Sequence, residues 1–411
     1  MNNPFTSQLF NDIWLKHFND SKTAISFKCI ANVKFIKRNP YFYFVNVGKN
    51  LTKGIYYSLN TDYQDFKNKV FLIYDVPSYF KVVPPERYSK LKLKRVFQYK
   101  GFLMNLDGFT NSEEYIKSRF SGKNRREFRS NQRRLETCFN IDYKFIIGQI
   151  NESDFKLIFD QFHDLLSIRF YEKQTDYHHL GSQKWNYYSD LVFKCINDNK
   201  ASLLVVYKDD TPIGITLNFH ADSIIFETIT VFDPDYYKFS IGKTSIIKLL
   251  DWCFENNIQI SDFSKGDFEY KNKWGNEIYD FEYHILYDSR SIIANLIASM
   301  IAFFFKFKLY LRKKNLNAFY RKLRFILGKG KKQTRIERKF QIEKLSDFEP
   351  DSNYKEVDIT LEQYNFLKKF LYSFLFANPE PEALVKVYKN NSDNDYIIMG
   401  SKAVQKISFD Q

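Results

Sequence analysis

The stretch Asp235–Trp274, DYYKFSIGKTSIIKLLDWCFENNIQISDFSKGDFEYKNKW, is the segment most informative about chemistry. Within it, Ser240-Ile241-Gly242-Lys243-Thr244 opens a helix directly after a strand and a loop. Free amides at a helix start, at the positive end of its dipole, make a ready site for a pyrophosphate. Gly242 allows close backbone approach, and Lys238 and Lys243 add positive charge. An ordinary helix start has the same look, so one glycine does not decide the matter. Asp262 ends a strand in SDFSKG, where an α/β fold places its cleft. Tyr270 and Lys271 follow, within reach of a substrate phosphate or an oxyanion. Glu227 stands mid-strand in IIFETITVF, with Ile229 and Val231 assigned to its face by simple alternation. A carboxylate on an apolar face has a raised pKa, which suits a general base. Each residue also has a structural reading. Glu227 can pair with a nearby Lys or Arg, Asp262 can bond the following loop, and Tyr270 and Lys271 can be solvated at the surface.

Other chemistries find less support. His220 sits at a strand end and His284 in a later strand, and a lone histidine is more often structural than catalytic. His178-His179 has no Cys or acid at ligand spacing, so no metal is expected. There is no nucleophile elbow and no Walker A motif. Cys29, Cys138, Cys195 and Cys253 form no C-x-x-C pair, which argues against a disulfide framework or zinc site and for a reducing compartment.

These residues need elements to position them. Residues 1–110 read as strand-rich, through Thr23–Cys29, Tyr41–Val47, Val70–Tyr74 and Phe97–Leu106, with a turn at Arg38-Asn39-Pro40. Thr110 and Glu113, or Asn111 and Glu114, have capping-box spacing for a following helix. The basic run SGKNRREFRSNQRRLE has only Phe128 and Leu135 on an apolar stripe, which predicts a surface helix. Residues 152–170 are amphipathic, and a further helix is expected over Lys184–Asn197. Strands are expected over Ala201–Tyr207, Ile213–His220 and Ile224–Val231, then a helix over Lys243–Glu255 and a strand over Ile258–Phe263. That order is a mixed α/β pattern. Residues 291–305 carry no charge, and fifteen residues cover roughly 22 Å, short of the roughly 30 Å hydrocarbon core. A helix buried in the protein and a helix lying in a membrane interface both fit better than a span. Residues 353–411 read as a small α/β unit behind a linker at 345–353, with a helix over Leu361–Phe376 and strands over Ala383–Val387 and Tyr396–Met399.

The net charge of +14 is unevenly placed. Residues 306–339 carry a net +13 and residues 117–134 a net +7, which leaves −6 for the remainder. Two basic patches on a mildly acidic body attract phosphates, anionic lipid or nucleic acid. The N-terminus shows no basic region followed by an apolar run, so the cytoplasm is the expected location.

Residues 112–287 resemble GNAT-superfamily acyltransferases of the CelD/BcsL, cellulose-biosynthesis type, relatives of the Fem-type aminoacyltransferases. The resemblance rests on GKNRREFRSNQRRLE, on Arg169-Phe170 where the family tends to have Arg-Trp, and on Phe232-Asp233-Pro234 leading through Tyr236-Tyr237 to Ser240-Ile241-Gly242. It also rests on Asp262-Phe263-Ser264-Lys265-Gly266 followed by Tyr270-Lys271 and Trp274. It implies a tandem of two GNAT-like halves, at 1–110 and 111–290. An apolar then basic segment at 291–345 and a C-terminal appendage at 353–411 would follow. It implies acyl-coenzyme A as donor, with the pyrophosphate on Lys238 and Ser240–Thr244. The catalytic set would be Glu227, Asp262, Tyr270 and Lys271, and Arg126, Arg129, Arg169 and Trp274 would bind the acceptor. That acceptor would be an amine or hydroxyl, on a small molecule or a precursor of a surface polysaccharide or the cell envelope. The enzyme would be cytoplasmic or peripheral on the inner face of the membrane, where 291–339 meets anionic lipid. The usual Gln/Arg-x-x-Gly-x-Gly/Ala is reduced here to Gly242, which weakens the implied coenzyme A site. The long heptad insertion of Fem-type ligases is missing, which argues against aminoacyl-tRNA as donor. The alternative is a nucleic-acid-binding or membrane-surface scaffold without catalysis, using Arg125, Arg126, Arg129, Arg133, Arg134 and 306–339. No base-reading motif accompanies those arginines.

Overall fold

In a computed structural model, residues 2–20, 22–38, 42–172, 177, 179–314 and 339–409 are described. His178, the turn at Asn39-Pro40 and most of the basic stretch 306–339 lie outside them. The chain opens with a helix, α1 (Gln8–Phe18), which strand signals alone do not anticipate. Ser7 caps it by accepting from the Phe10 amide, and Phe10, Ile13 and Trp14 form its buried face. There follow β1 (Ile25–Phe27), β2 (Ile30–Arg38), β3 (Tyr43–Asn46), β4 (Ser58–Leu59), β5 (Val70–Pro77) and β6 (Leu91–Asn105). Next come α2 (Ser112–Arg119), α3 (Gly122–Cys138), β7 (Ile141–Ile146), α4 (Glu152–Glu172) and α5 (Ser182–Asn197). The meander β8 (Ala201–Lys208), β9 (Thr211–Ala221) and β10 (Ile224–Phe232) leads to α6 (Ile241–Glu255) and β11 (Ile260–Lys265). The short helix α7 (Glu269–Trp274), the long strand β12 (Glu277–Asp288) and α8 (Ile292–Lys313) complete the main body.

Of the two expected capping pairs, Asn111 supplies the cap of α2, accepting from the Glu114 amide at 2.9 Å. The Glu114 carboxylate reaches back to the Thr110 amide and hydroxyl at 2.8 and 3.0 Å. On α3 the stripe of Phe128, Asn131, Leu135 and Cys138 is buried and the arginine-rich face is largely solvated.

Among the described residues, twelve strands form one mixed sheet in the order β1-β2-β3-β5-β12-β6-β11-β10-β9-β8-β7, with β4 on β2. The order reads nearly alike from both ends. Each half supplies antiparallel neighbours (β1-β2-β3 and β8-β9-β10) and then a parallel pair, β3 with β5 and β10 with β11. Beside each parallel pair lies a long strand from the other half, β12 on β5 and β6 on β11, and these two long strands pair with each other. The fold is thus a mixed α/β tandem of two similarly ordered halves, each lending a long strand to the other, and the segment 1–110 shares one continuous sheet with 111–290. Helices α1, α4 and α5 cover one face, while α2, α3, α6 and α8 cover the other.

Two later segments depart from the sequence reading. Helix α8 runs 22 residues, about 33 Å, longer than the uncharged run alone. By length and composition it could cross a membrane, yet one stripe of it packs on the sheet and the rest is exposed. It is therefore not a fully buried helix. The C-terminal unit is a five-stranded sheet of β13 (Phe340–Leu345), β14 (Tyr354–Glu356), β15 (Lys386–Asn390), β16 (Asp395–Met399) and β17 (Val404–Phe409). It also holds a 3-10 turn at Glu362–Leu367 that runs into α9 (Lys368–Ala377). The expected linker 345–353 thus begins on the last residue of a strand, and the unit shares a core with α3 and with the 3-10 turn Pro234–Phe239.

Candidate active site

The parallel pair β10 and β11 is in register only over Ile224–Phe226 and Ile260–Asp262. Beyond those positions the strands separate, and the backbone of β10 past Phe226 loses its partner on that side. A bulge between Glu227 and Ile229 sets what fills the gap. Plain alternation groups Glu227 with Ile229 and Val231. The bulge breaks that alternation. Ile229 and Val231 join the core under α4 and α5, while Glu227 lines a cavity together with Thr230 and Phe232. The expected face is therefore corrected: Glu227 looks into a cavity of about 610 Å³ bounded by β10, α3, α6 and α7.

The walls divide by chemistry. Phe120, Phe128 and Trp274 form an aromatic side, with the Phe128 and Trp274 rings stacked at 5.6 Å and Phe120 against Trp274 at 4.7 Å. Ser240, Gly242, Lys243 and Ser245 at the start of α6 form a second side. Ser240 holds a left-handed conformation (φ 58°) where the chain turns from the 3-10 segment into α6, and its Oγ accepts from Asn131 at 3.3 Å. The first-turn amides of Ile241 and Gly242 have no acceptor inside the helix. Gly242 is needed for a different close approach from the one expected: a Cβ there would stand 2.9 Å from the Phe232 ring. Lys243 is paired with Glu127 at 2.9 Å at the rim. Of the residues assigned to the donor, Ser240, Gly242 and Lys243 reach the cavity, while Lys238, Ile241 and Thr244 do not line it. Ile241 and Thr244 are buried behind it.

Of the four catalytic candidates, Glu227 and Tyr270 line the cavity. Burial pushes the Glu227 carboxyl up to about 8, against the Ser261 hydroxyl, which donates to it at 3.1 Å, and the nearby Lys271 charge. Burial likewise raises the Tyr270 phenol. Asp262 turns away from the cavity. Its carboxylate accepts from the Tyr279 hydroxyl at 2.7 and 2.6 Å, the Tyr79 hydroxyl at 2.8 Å and the Ser264 amide at 2.6 Å. Burial pushes Asp262 up to about 6, and those donors pull against the rise. Lys271 is buried too, and its ammonium donates to the carbonyls of Phe263 at 2.7 Å, Ser264 at 3.4 Å and Lys265 at 2.6 Å. Those carbonyls belong to the part of β11 that has left β10, so Lys271 satisfies backbone that the opening would otherwise strand. Burial lowers the Lys271 pKa to about 8.

Arg169 and Trp274 line the cavity, whereas Arg126 and Arg129 do not. The Arg169 guanidinium donates to the Thr230 carbonyl at 2.9 Å and lies over the Phe232 ring at 5.2 Å. Arg126 is exposed, and Arg129 pairs with Glu113 at 3.3 Å. Arg134 donates to the Phe376 carbonyl of the C-terminal unit, so the basic helix spends part of its charge on intramolecular contacts. His220 and His284 do not line the cavity. His220 bonds the Ser202 hydroxyl at 2.8 Å and burial lowers its pKa to about 4, while His284 sits between Tyr57 and Glu282.

Sequence reasoning missed the aromatic wall of Phe120 and Phe128 and the tyrosines that hold Asp262. Tyr79 lies 183 residues from Asp262 in the chain, and no local spacing signals that contact. It also missed the support behind the α6 start, where Tyr236 and Phe239 pack on Tyr372 and Phe376 at 4.5 and 5.3 Å.

Residues 122–272, which supply the cavity's lining apart from Phe120, Lys273 and Trp274, match the family model described as an acetyltransferase (GNAT) domain. The chain therefore carries a GNAT acetyltransferase domain and is an acyltransferase. None of the curated proteins matches the sequence. Among solved structures, the chain is similar to a conserved protein of unknown function from Bacteroides thetaiotaomicron, at 10% identity and a TM-score of 0.43, over 70% of this chain and 92% of that one. It is similar to FemX at 11% identity and a TM-score of 0.42, over 61% of this chain and 83% of that one. It is also similar to a PaiA N-acetyltransferase from Thermoplasma acidophilum in complex with coenzyme A, at 14% identity and a TM-score of 0.26, over 35% and 97% of the respective chains.

Proposed function

We propose that the protein transfers an acyl group from acyl-coenzyme A to an amine or hydroxyl acceptor, and that Glu227 takes the acceptor's proton. The observation that carries this reading is the opening between β10 and β11, with a buried carboxyl of raised pKa at its apex. The edge of β10 past Phe226, where Arg169 takes the Thr230 carbonyl, offers its remaining backbone groups to an extended amide-bearing arm such as pantetheine. The α6 start offers its free amides and Lys243 to the donor's pyrophosphate.

The reaction then runs as a direct displacement. The acceptor nitrogen or oxygen attacks the thioester carbonyl carbon while its proton passes to the ionised Glu227 carboxylate. Amides of the open β10 edge receive the developing oxyanion. Collapse of the tetrahedral adduct breaks the carbon–sulfur bond, and the coenzyme A thiolate leaves and is protonated. Arg169, Tyr270 and Trp274 on the cavity wall face the acceptor. The CelD/BcsL resemblance points to a small molecule or a glycan precursor of the cell envelope, modified at the inner face of the cytoplasmic membrane. The basic-scaffold alternative leaves unexplained a carboxyl held largely uncharged beside an open strand edge.

Thermal denaturation across a series of acyl-coenzyme A donors tests the reading. A donor present at a hundred times its Kd stabilises the native state by about 2.7 kcal/mol. An unchanged melting curve at millimolar donor would overturn it.

A further inference from the structure

We infer that the exposed face of α8 is a membrane-docking surface, which lies flat in the headgroup region of an anionic bilayer. This goes beyond acyl transfer and does not rest on it. The helix is two-sided. Ala294, Ala298 and Ala302, four residues apart, seat it closely on the sheet, with Ile301 and Phe305 filling the contact against Leu72, Val96, Tyr283 and Ile285. The opposite side presents Ile292, Ile293, Leu296, Met300, Phe303 and Phe307, each between 48 and 83% exposed. A contiguous apolar stripe of this kind marks a partner.

Charge selects the partner. The helix contains no acidic residue, and Lys306, Lys308 and Lys313 stand exposed toward its C-terminal end, with Lys314 just beyond. A second copy would bring the same positive charge to the contact. A leaflet holding acidic lipid supplies both the hydrocarbon for the stripe and the anions for the lysines, whose stems can lie along the apolar boundary. The packing also sets orientation. Phe305 is stacked on Tyr283 at 3.9 Å, Lys94 donates to Ser299 at 2.8 Å, and Arg312 donates to the Gln98 carbonyl at 2.7 Å over the Tyr99 ring. The helix is thus fastened along its length to the sheet. Crossing the bilayer would strip it from that core or drag the charged strands β6 and β12 into hydrocarbon.

The test is flotation of the full chain with vesicles of phosphatidylcholine alone, or of phosphatidylcholine with about a quarter phosphatidylglycerol. The wild type should float with the anionic vesicles and several-fold less with the neutral ones. It should be released by strong salt or alkaline carbonate. The variant Leu296→Glu/Met300→Glu/Phe303→Glu changes only exposed positions and should lose binding roughly tenfold or more. Lys306→Glu/Lys308→Glu should lose only the preference for anionic lipid. Wild-type protein that stays down with both vesicles, or a triple variant that floats equally well, overturns the proposal. So does carbonate-resistant binding, which means a spanning helix. A concentration-dependent dimer that the triple substitution abolishes, with no flotation, assigns the stripe to a second copy and also overturns it. Donor stabilisation by acyl-coenzyme A is read separately, so either reading can fail alone.

Discussion

Replacing Glu227 with Gln separates the catalytic role of this carboxyl from its effect on the fold. The amide keeps the shape of the side chain and an acceptor for the Ser261 hydroxyl. It cannot accept the acceptor's proton, so turnover should fall by about a hundredfold or more. The same change alters the pH dependence of stability. With its pKa pushed up to about 8, Glu227 keeps a proton in the native state that the unfolded chain has lost by pH 6. A group raised on folding stabilises at low pH, and that contribution disappears as pH climbs through the folded pKa. From pH 6 to pH 8 the wild type should therefore lose about 2 kcal/mol relative to Glu227→Gln, because the ionised form is half populated only at the upper limit. Denaturant midpoints of both proteins across this window measure the difference directly, and other titrating groups cancel to first order. With a hydroxyl acceptor, thiol release from acyl-coenzyme A by the wild type should rise about tenfold per pH unit and level off near pH 8. Parallel stability curves, or a variant with wild-type turnover, would refute the reasoning.

Two further substitutions probe the supports of the opening. Lys271→Met leaves the carbonyls of Phe263, Ser264 and Lys265 without their donor, and an unsatisfied buried acceptor costs about 1–3 kcal/mol. Amide exchange in residues 262–266 should speed up by roughly tenfold to a hundredfold, and unchanged protection there would dismiss the strut role. Asp262→Asn weakens the contacts with Tyr79, Tyr279 and the Ser264 amide, so stability should drop by about 1–3 kcal/mol while turnover per folded molecule stays within about tenfold. A collapse of turnover at unchanged stability would return Asp262 to the catalytic set.

Much of the domain was legible because its signals are local. The β8–β10 meander, α6 and the polar face of α3 follow from periodicity, caps and turn residues within short windows. The features that were not legible depend on single-residue irregularities or on distant partners. The bulge at Thr228 reverses the face of every later residue in β10, yet IIFETITVF alternates without a visible break. Lys271 reads as a catalytic cation or a solvated one, and only the parting of β11 from β10 creates the carbonyls that draw it inward. Asp262 reads as a strand-end residue at the cleft, but β11 runs on to Lys265 and buries it between β10 and β6, away from the cavity. Its two tyrosines arrive from the segment after β5 and from β12, one in each half, which makes it a fastener where the halves meet.

The near-symmetry of the sheet raises the question of why one half holds the cavity. The first half repeats the arrangement, since β3 and β5 are parallel and in register only over Phe44–Val45 and Phe71–Leu72. There the chain closes its own gap. The Asn46 side chain accepts from the Tyr74 amide at 2.9 Å, and the Ile55 amide donates to the Asp75 carbonyl at 2.9 Å. Asp75 then accepts from Thr52 and Gln98 at 2.8 Å and from Lys265 of the other half. The segment after β3 is a loop that folds back into the fissure, where the second half has α6 standing clear of it. Backbone groups that strand separation exposes must find partners. In the first half they find them within the chain. In the second half Lys271 holds the β11 side and Arg169 takes the Thr230 carbonyl, while the opening itself stays clear of the connecting segment. The division of labour between the halves thus comes down to whether the connecting segment is a loop that fills the opening or a helix that borders it.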